Sequence, residues 1–84
     1  MSNGLINALD QILRWPKTPK DKEIVILFLS SKFQNQLKYS ENEVNIIIDK
    51  HHLFNDTPLL RRELISRKYL NRKDHGSEYS KNIL

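Results

Sequence analysis

Leu60-Arg61-Arg62-Glu63-Leu64, followed by the Gly-centred turn Asp74-His75-Gly76-Ser77, is the stretch on which the fold turns. Just upstream, Asn55, Asp56 or Thr57 can serve as an N-cap, and Pro58 is tolerated in a first helical turn. A helix therefore carries the two arginines. Beyond it, Tyr69-Leu70-Asn71-Arg72 and Glu78-Tyr79-Ser80-Lys81 can pair as two short strands around Gly76, which supplies the positive φ of a tight hairpin.

Working outward toward the N-terminus, Ser40-Glu41-Asn42-Glu43 is a capping box of the form S-x-x-E and opens a helix through about Lys50. Val44, Ile47 and Ile48 share its inward face, and His51 to Asp56 make the turn to the next helix. Phe33 to Lys38 reads as a polar loop. Thr18 caps a further helix, with Pro19 at its first position and Asp21 at its third, running from Pro19 to about Phe33. Ile24, Leu27 and Phe28 share one face while Val25, Ile26 and Leu29 fill much of the rest, so this helix is expected to be buried nearly all round. The same aliphatic run is compatible with a buried strand, but the caps and the length favour helix.

Residues 4 to 14 read as an amphipathic helix, because Leu5, Ala8, Leu9, Ile12 and Leu13 recur at helical spacing. Ser2 or Asn3 can cap it, and Pro16 disfavours helix at Trp15 and ends it. The expected organisation is an N-terminal amphipathic helix at 1–14 and a second unit at 15–82. The fold class is α+β and mostly helical: a winged-helix-like helix-turn-helix with a small C-terminal β-hairpin.

Composition narrows the function classes. The 84 residues suffice for one modest core. Charged residues at 29% and hydrophobic residues at 38% are those of a globular domain. With no cysteine, disulfides and thiolate metal sites are excluded. The longest apolar run, Ile24 to Leu29, falls far short of the ~18 residues that span a bilayer, and no secretory signal is evident, so a cytoplasmic location is expected.

Net charge is +4, and half of the 14 Lys and Arg residues lie between Arg61 and Lys81, opposed there by Glu63, Asp74 and Glu78. A basic C-terminal third suits a phosphate backbone; its alternative is a solvated basic surface. On a helical wheel Leu60, Leu64 and Ile65 define the inward arc, and Arg61 falls within it. Arg61 is thus expected to be structural, its guanidinium held by Glu43 or Asp56. Arg62, Ser66 and Glu63 face outward. Arg62 is the candidate for a phosphate or base-edge contact, with Thr57, Ser66 and Arg67 on the same helix and Arg72 and Lys73 reaching a flanking phosphate from the hairpin. Glu63 opposes this unless Arg67 pairs with it.

Other chemistry finds little support in the residues. His51 and His52 are adjacent and His75 is remote, so no metal site is expected. No triad is recognisable, and Gly4 and Gly76 are too isolated for a phosphate loop. Tyr39, Tyr69 and Tyr79 are spaced irregularly and suit core-edge packing better than a stacking platform. An enzyme is not expected, nor a cofactor.

Several of these segments also carry a resemblance. Trp15-Pro16-Lys17, Tyr39-Ser40-Glu41-Asn42-Glu43-Val44-Asn45, Leu60-Arg61-Arg62-Glu63-Leu64 and Gly76-Ser77-Glu78-Tyr79 stand in the order of the bacterial domain-of-unknown-function family 2087, and Asp56 also fits its pattern. The likeness covers about residues 15 to 80. It departs after Tyr79, where Ser80 stands in place of a second aromatic. The resemblance implies a small helix-turn-helix-like domain, found alone or behind the DNA-binding domain of bacterial transcriptional regulators. The expected function is duplex DNA binding in transcriptional regulation, with residues 55 to 67 in the major groove and the hairpin as a wing. The alternative is a protein-interaction module that does not itself bind DNA, with Leu5, Leu9, Ile12 and Leu13 of the first helix forming a homodimer or regulator-binding surface.

Overall fold

Thr18 opens the first helix as its sequence signature requires. In the computed structural model, which describes residues 4–73 and 78–82, its side chain accepts the Asp21 N–H at 3.2 Å, and α1 spans Pro19–Ser30. The helix ends earlier than Phe33. There the Ser30 and Ser31 hydroxyls donate to the carbonyls of Leu27 and Phe28, at 2.7 and 2.5 Å, and side-chain bonds of this kind compete with the helical ladder. Val25, Ile26 and Leu29 are buried, whereas Leu27 is 55% exposed and Ile24 and Phe28 are half-buried. The expectation of burial all round is therefore corrected. One face of α1 enters the core, and its other apolar face lines an open groove with Tyr69, Lys81 and Asn82.

The segment after α1 is more ordered than the polar loop expected of it. Gln36 turns through a positive φ of 66°, and Lys38–Tyr39 forms a two-residue strand, β1. Two residues are too few to show the alternation by which a strand is recognised in sequence. Ser40 then caps α2, Glu41–Lys50, with both arms of the capping box in place. Glu43 N–H donates to Ser40 Oγ at 3.1 Å, and Ser40 N–H donates to Glu43 Oε1 at 2.8 Å. Asn55, at φ 53°, turns the chain into α3, Thr57–Ser66, which Asp56 caps through the Leu59 N–H at 3.3 Å.

Lys68, at φ 72°, leaves α3 for β2, Leu70–Arg72, which pairs antiparallel with β3, Tyr79–Lys81. The register Leu70↔Lys81, Asn71↔Ser80, Arg72↔Tyr79 joins the two segments expected to pair, while the turn at 74–77, with Gly76, lies outside the described residues. β1 adds to the other side of β3, giving the sheet order β1-β3-β2. The fold is α+β and mostly helical. Its order of helix, strand, helix, helix, strand, strand is compatible with a winged-helix-like helix-turn-helix.

The N-terminal segment is not a helix. Leu13 N–H donates to Leu5 C=O at 2.8 Å and Asn7 N–H to Gln11 C=O at 3.0 Å, which folds residues 5–13 back on themselves as a tight loop. Asn7 fixes that loop: its Oδ1 accepts the N–H groups of Leu9 and Gln11, at 2.9 and 3.0 Å. Asp10 takes a left-handed φ of 61°, which ends any helical run there. Ile12 is stitched to the turn after α2 through His51 C=O and Leu53 N–H, at 2.8 and 3.0 Å.

Leu5 and Ile12 are buried with the side chains of the three helices and the sheet, while Leu9 is 77% exposed. The segment thus completes the core that Val44 and Ile48 of α2, Leu60 and Leu64 of α3, and Leu70 and Tyr79 of the sheet also form. The helix expected at residues 4 to 14 is corrected by this arrangement: Leu5 and Ile12 enter the common core from a loop, while Leu9 and Leu13 stay exposed.

Candidate nucleic-acid interface

Between α2 and α3 the turn is held by a buried histidine. The Asp56 N–H donates to His52 Nε2 at 3.0 Å, and His52 Nδ1 lies 2.8 Å from the Ile48 carbonyl. With Nε2 accepting, Nδ1 carries the ring proton and donates it, so both nitrogens serve backbone groups. The Phe54 ring stands edge-on to His52 at 4.8 Å. His52 therefore clamps the end of α2 to the cap of α3. Among the described residues, no group of three or more His, Cys, Asp or Glu could hold a metal ion.

This clamp sets which side of α3 faces out. Leu60 and Leu64 point into the core, Ile65 is half-buried beside them, and Arg62 and Ser66 are exposed. Arg72 and Lys73 are exposed at the end of β2, with Lys73 N–H bonded to Glu78 C=O at 2.9 Å. Arg62, Ser66, Arg72 and Lys73 thus keep the exposure that a contact role demands of them.

Two other candidate residues are committed inside the domain. The hydroxyl of Thr57, the first residue of α3, donates to Asp49 Oδ1 on α2, and the side chain is half-buried. Arg67 is engaged more fully. Its Nε donates to Glu63 Oε1 one turn back on α3, and its Nη1 donates to Glu23 Oε1 on α1, both at 2.7 Å. The Tyr69 hydroxyl donates to the other Glu23 oxygen.

Hydrogen bonds from Tyr69 and then Arg67 hold the Glu23 carboxyl below its ordinary range, while Glu63 and then Glu23 hold the guanidinium above its own. Arg67 is a tie between α1 and α3 and not a free cation. The same tie neutralises Glu63, the carboxylate that would otherwise repel a phosphate from this face.

Arg61 also differs from expectation, in its partner. Glu43 and Asp56 are occupied as helix caps, and Arg61 Nη1 donates instead to Asn45 Oδ1 at 2.5 Å. The stem is half-buried as the wheel requires, but the group receiving it is a neutral amide. Asn45 lies one turn after Glu41 on α2, and Glu41 Oε1 accepts the hydroxyl of Tyr79 at 3.0 Å. Burial, followed by that bond to Glu41, holds the Tyr79 phenol above its ordinary range.

Asn45, Glu41 and Tyr79 were not singled out as site residues from the sequence. The available signal was their presence in the segments shared with the family, together with the i, i+4 spacing of Glu41 and Asn45.

Among the described residues no helix is long and apolar enough to cross a membrane. A comparison with curated proteins and with solved structures finds no match to the chain. Residues 11–81 match a family described as uncharacterized protein conserved in bacteria, DUF2087. The match takes in Ile12 of the N-terminal loop as well as all three helices and the sheet, and on that extent the chain belongs to the DUF2087 family.

Proposed function

We propose that this domain binds duplex DNA in bacterial transcriptional regulation, with α3 in the major groove and the β2–β3 hairpin against the neighbouring backbone. The observation that carries the reading is the order of the elements. A clamped α2–α3 pair is followed by an antiparallel hairpin, with Arg62 and Ser66 exposed on α3 and Arg72 and Lys73 exposed on the hairpin. Neutralisation of Glu63 by Arg67 removes the main electrostatic objection on that face. On this reading no step of chemistry is required, and the domain is not an enzyme.

The test is an amide NMR titration with a mixed-sequence duplex at low and moderate salt. Shifts should gather on α3 around Arg62 and Ser66 and on Arg72 and Lys73, and should weaken as salt rises, because phosphate contacts release counterions. Arg62→Glu should weaken binding and leave the fold intact. Absence of shifts even at low salt refutes the reading.

A second reading is favoured by the open apolar groove along α1. Ile24, Leu27 and Phe28 stand there beside Tyr69. It would serve a protein-interaction module of a regulator that leaves DNA to another domain.

A further inference from the structure

We propose that Arg61, Asn45, Arg72 and Tyr79 frame a seat for a single phosphate group where α2, α3 and the hairpin meet. Only the source of the phosphate, a DNA backbone, rests on the nucleic-acid reading. The argument begins from a contrast between two half-buried arginines on the same helix. Arg67 is met by two carboxylates, whereas the partner of Arg61 among the described residues is the neutral Asn45 amide. A guanidinium has five N–H donors in a planar fork matched to carboxylate and phosphate oxygens, and drawing it partly out of water without a counter-charge is unfavourable. The bond to Asn45 fixes the position of the fork and leaves its charge uncompensated.

The surroundings converge on the same point. Asn45 and Glu41 are one turn apart on one face of α2. Arg61 reaches the first and Tyr79 the second, so the guanidinium and the phenol lie within about a helical turn of each other. Arg72 is the direct cross-strand partner of Tyr79 and is exposed. The phenol of Tyr79 feels the positive charge of both arginines. Glu41 is the one carboxylate of the group. It accepts the Tyr79 hydroxyl and sits at the first position of α2, where the helix N-terminus favours negative charge. Two cations against one partly satisfied anion leave the cluster net positive, and the fork of Arg61 supplies the directional donors.

The experiment titrates the full chain with inorganic phosphate against chloride at constant ionic strength, following by NMR the side-chain Nε–H of Arg61 and Arg72 and the amide of Asn45, with the Nε–H of Arg67 as the reference. A short duplex is titrated separately. Saturable shifts at Arg61, Arg72 and Asn45 are expected, with a Kd on the order of 1 mM, the weak end of the affinity scale. Arg61→Lys should weaken phosphate at least about tenfold by removing the bidentate fork, and Arg72→Gln, on an exposed edge strand, should weaken it without touching the core. Arg67→Lys serves as a control expected to leave it unchanged.

Saturation by phosphate without any duplex binding supports the seat with a free phosphate ester as its source, and it refutes the DNA reading. Duplex binding that is equally strong in Arg61→Lys, with no saturable response to inorganic phosphate, overturns the seat while the DNA reading stands. A response that is unsaturable, or equal at Arg61 and Arg67, also overturns it.

Discussion

Asn7→Ala distinguishes the observed N-terminal loop from the helix that the apolar spacing suggests, because the sign of its effect differs between the two. In the loop, Asn7 Oδ1 accepts two backbone N–H groups, those of Leu9 and Gln11. At about 0.5–1.5 kcal/mol net for each bond, their loss should destabilise the protein by roughly 1–3 kcal/mol. In a helix, replacing Asn by Ala would instead stabilise by up to about 0.7 kcal/mol through propensity alone.

Ile12→Ala extends the argument to packing. Ile12 is fully buried, so its truncation should cost about 2–5 kcal/mol, whereas Leu9, 77% exposed, should stay within about 0.5 kcal/mol. A domain of 84 residues has roughly 4–13 kcal/mol of stability in all, so the Ile12 variant should be visibly weakened. At about 4–8 °C per kcal/mol, a 3 kcal/mol loss lowers the Tm by roughly 12–24 °C. The assay is urea and thermal unfolding followed by circular dichroism. An Asn7→Ala protein more stable than the parent, or equal losses for Leu9→Ala and Ile12→Ala, would refute the reasoning.

The Glu23 network should leave a mark at low pH. Its folded-state pKa is lowered by Tyr69 and Arg67, so its contribution is present above the unfolded carboxylate pKa of about 4.3 and fades as pH falls through the lower folded value. Glu23→Gln should flatten the acid limb of the unfolding profile, and an unchanged limb would count against the network. Tyr79 behaves in the opposite sense: burial raises its folded pKa, so its stabilisation holds below the unfolded value of about 10 and is lost as pH rises through the folded one. Tyr79→Phe should therefore lose less stability than the parent between about pH 10 and 12. Arg67→Ala should cost roughly 0.5–2 kcal/mol, the sum of two half-exposed ion pairs. On the nucleic-acid reading it should also weaken duplex binding at low salt, because it unmasks Glu63, and Glu63→Gln in the same chain should restore the affinity; a loss that persists in the double variant would place Arg67 on the contact face.

What could be read from the sequence, and what could not, follows from how local each determinant is. Thr18, the Ser40–Glu43 box and Asp56 act within a single turn, so the starts of α1, α2 and α3 are legible from neighbouring residues alone. The pairing of β2 with β3 likewise joins segments that are near each other in the sequence. The N-terminal loop fails this test. Leu5 and Ile12 do both enter the core, as the apolar spacing suggests, but Asn7 and Asp10 redirect the backbone between them. β1 is invisible for a different reason, since its two residues become a strand only because β3 lies alongside. Arg61 illustrates a third limit: a wheel shows that its stem points inward, but the choice of Asn45 over Glu43 depends on both candidate carboxylates being drawn to helix caps.

The same reasoning bears on how much the charge of the C-terminal third signifies. A count of Lys and Arg treats each as a charge available to a partner, and in this fold that is not so. Arg67 is neutralised by Glu23 and Glu63. Lys81 is half-buried, with its ammonium turned onto the Phe33 carbonyl at 3.1 Å. Arg62, Arg72 and Lys73 remain exposed, and Arg61 sits behind them with only a neutral partner among the described residues. These come from α3 and the hairpin, the two elements that the α2–α3 clamp and the β2–β3 pairing hold in fixed positions. The basic tail thus divides into cations that hold the domain together and cations that the domain holds out. It is the placement of the second group, and not the net charge of +4, that makes a phosphate backbone the partner worth testing first.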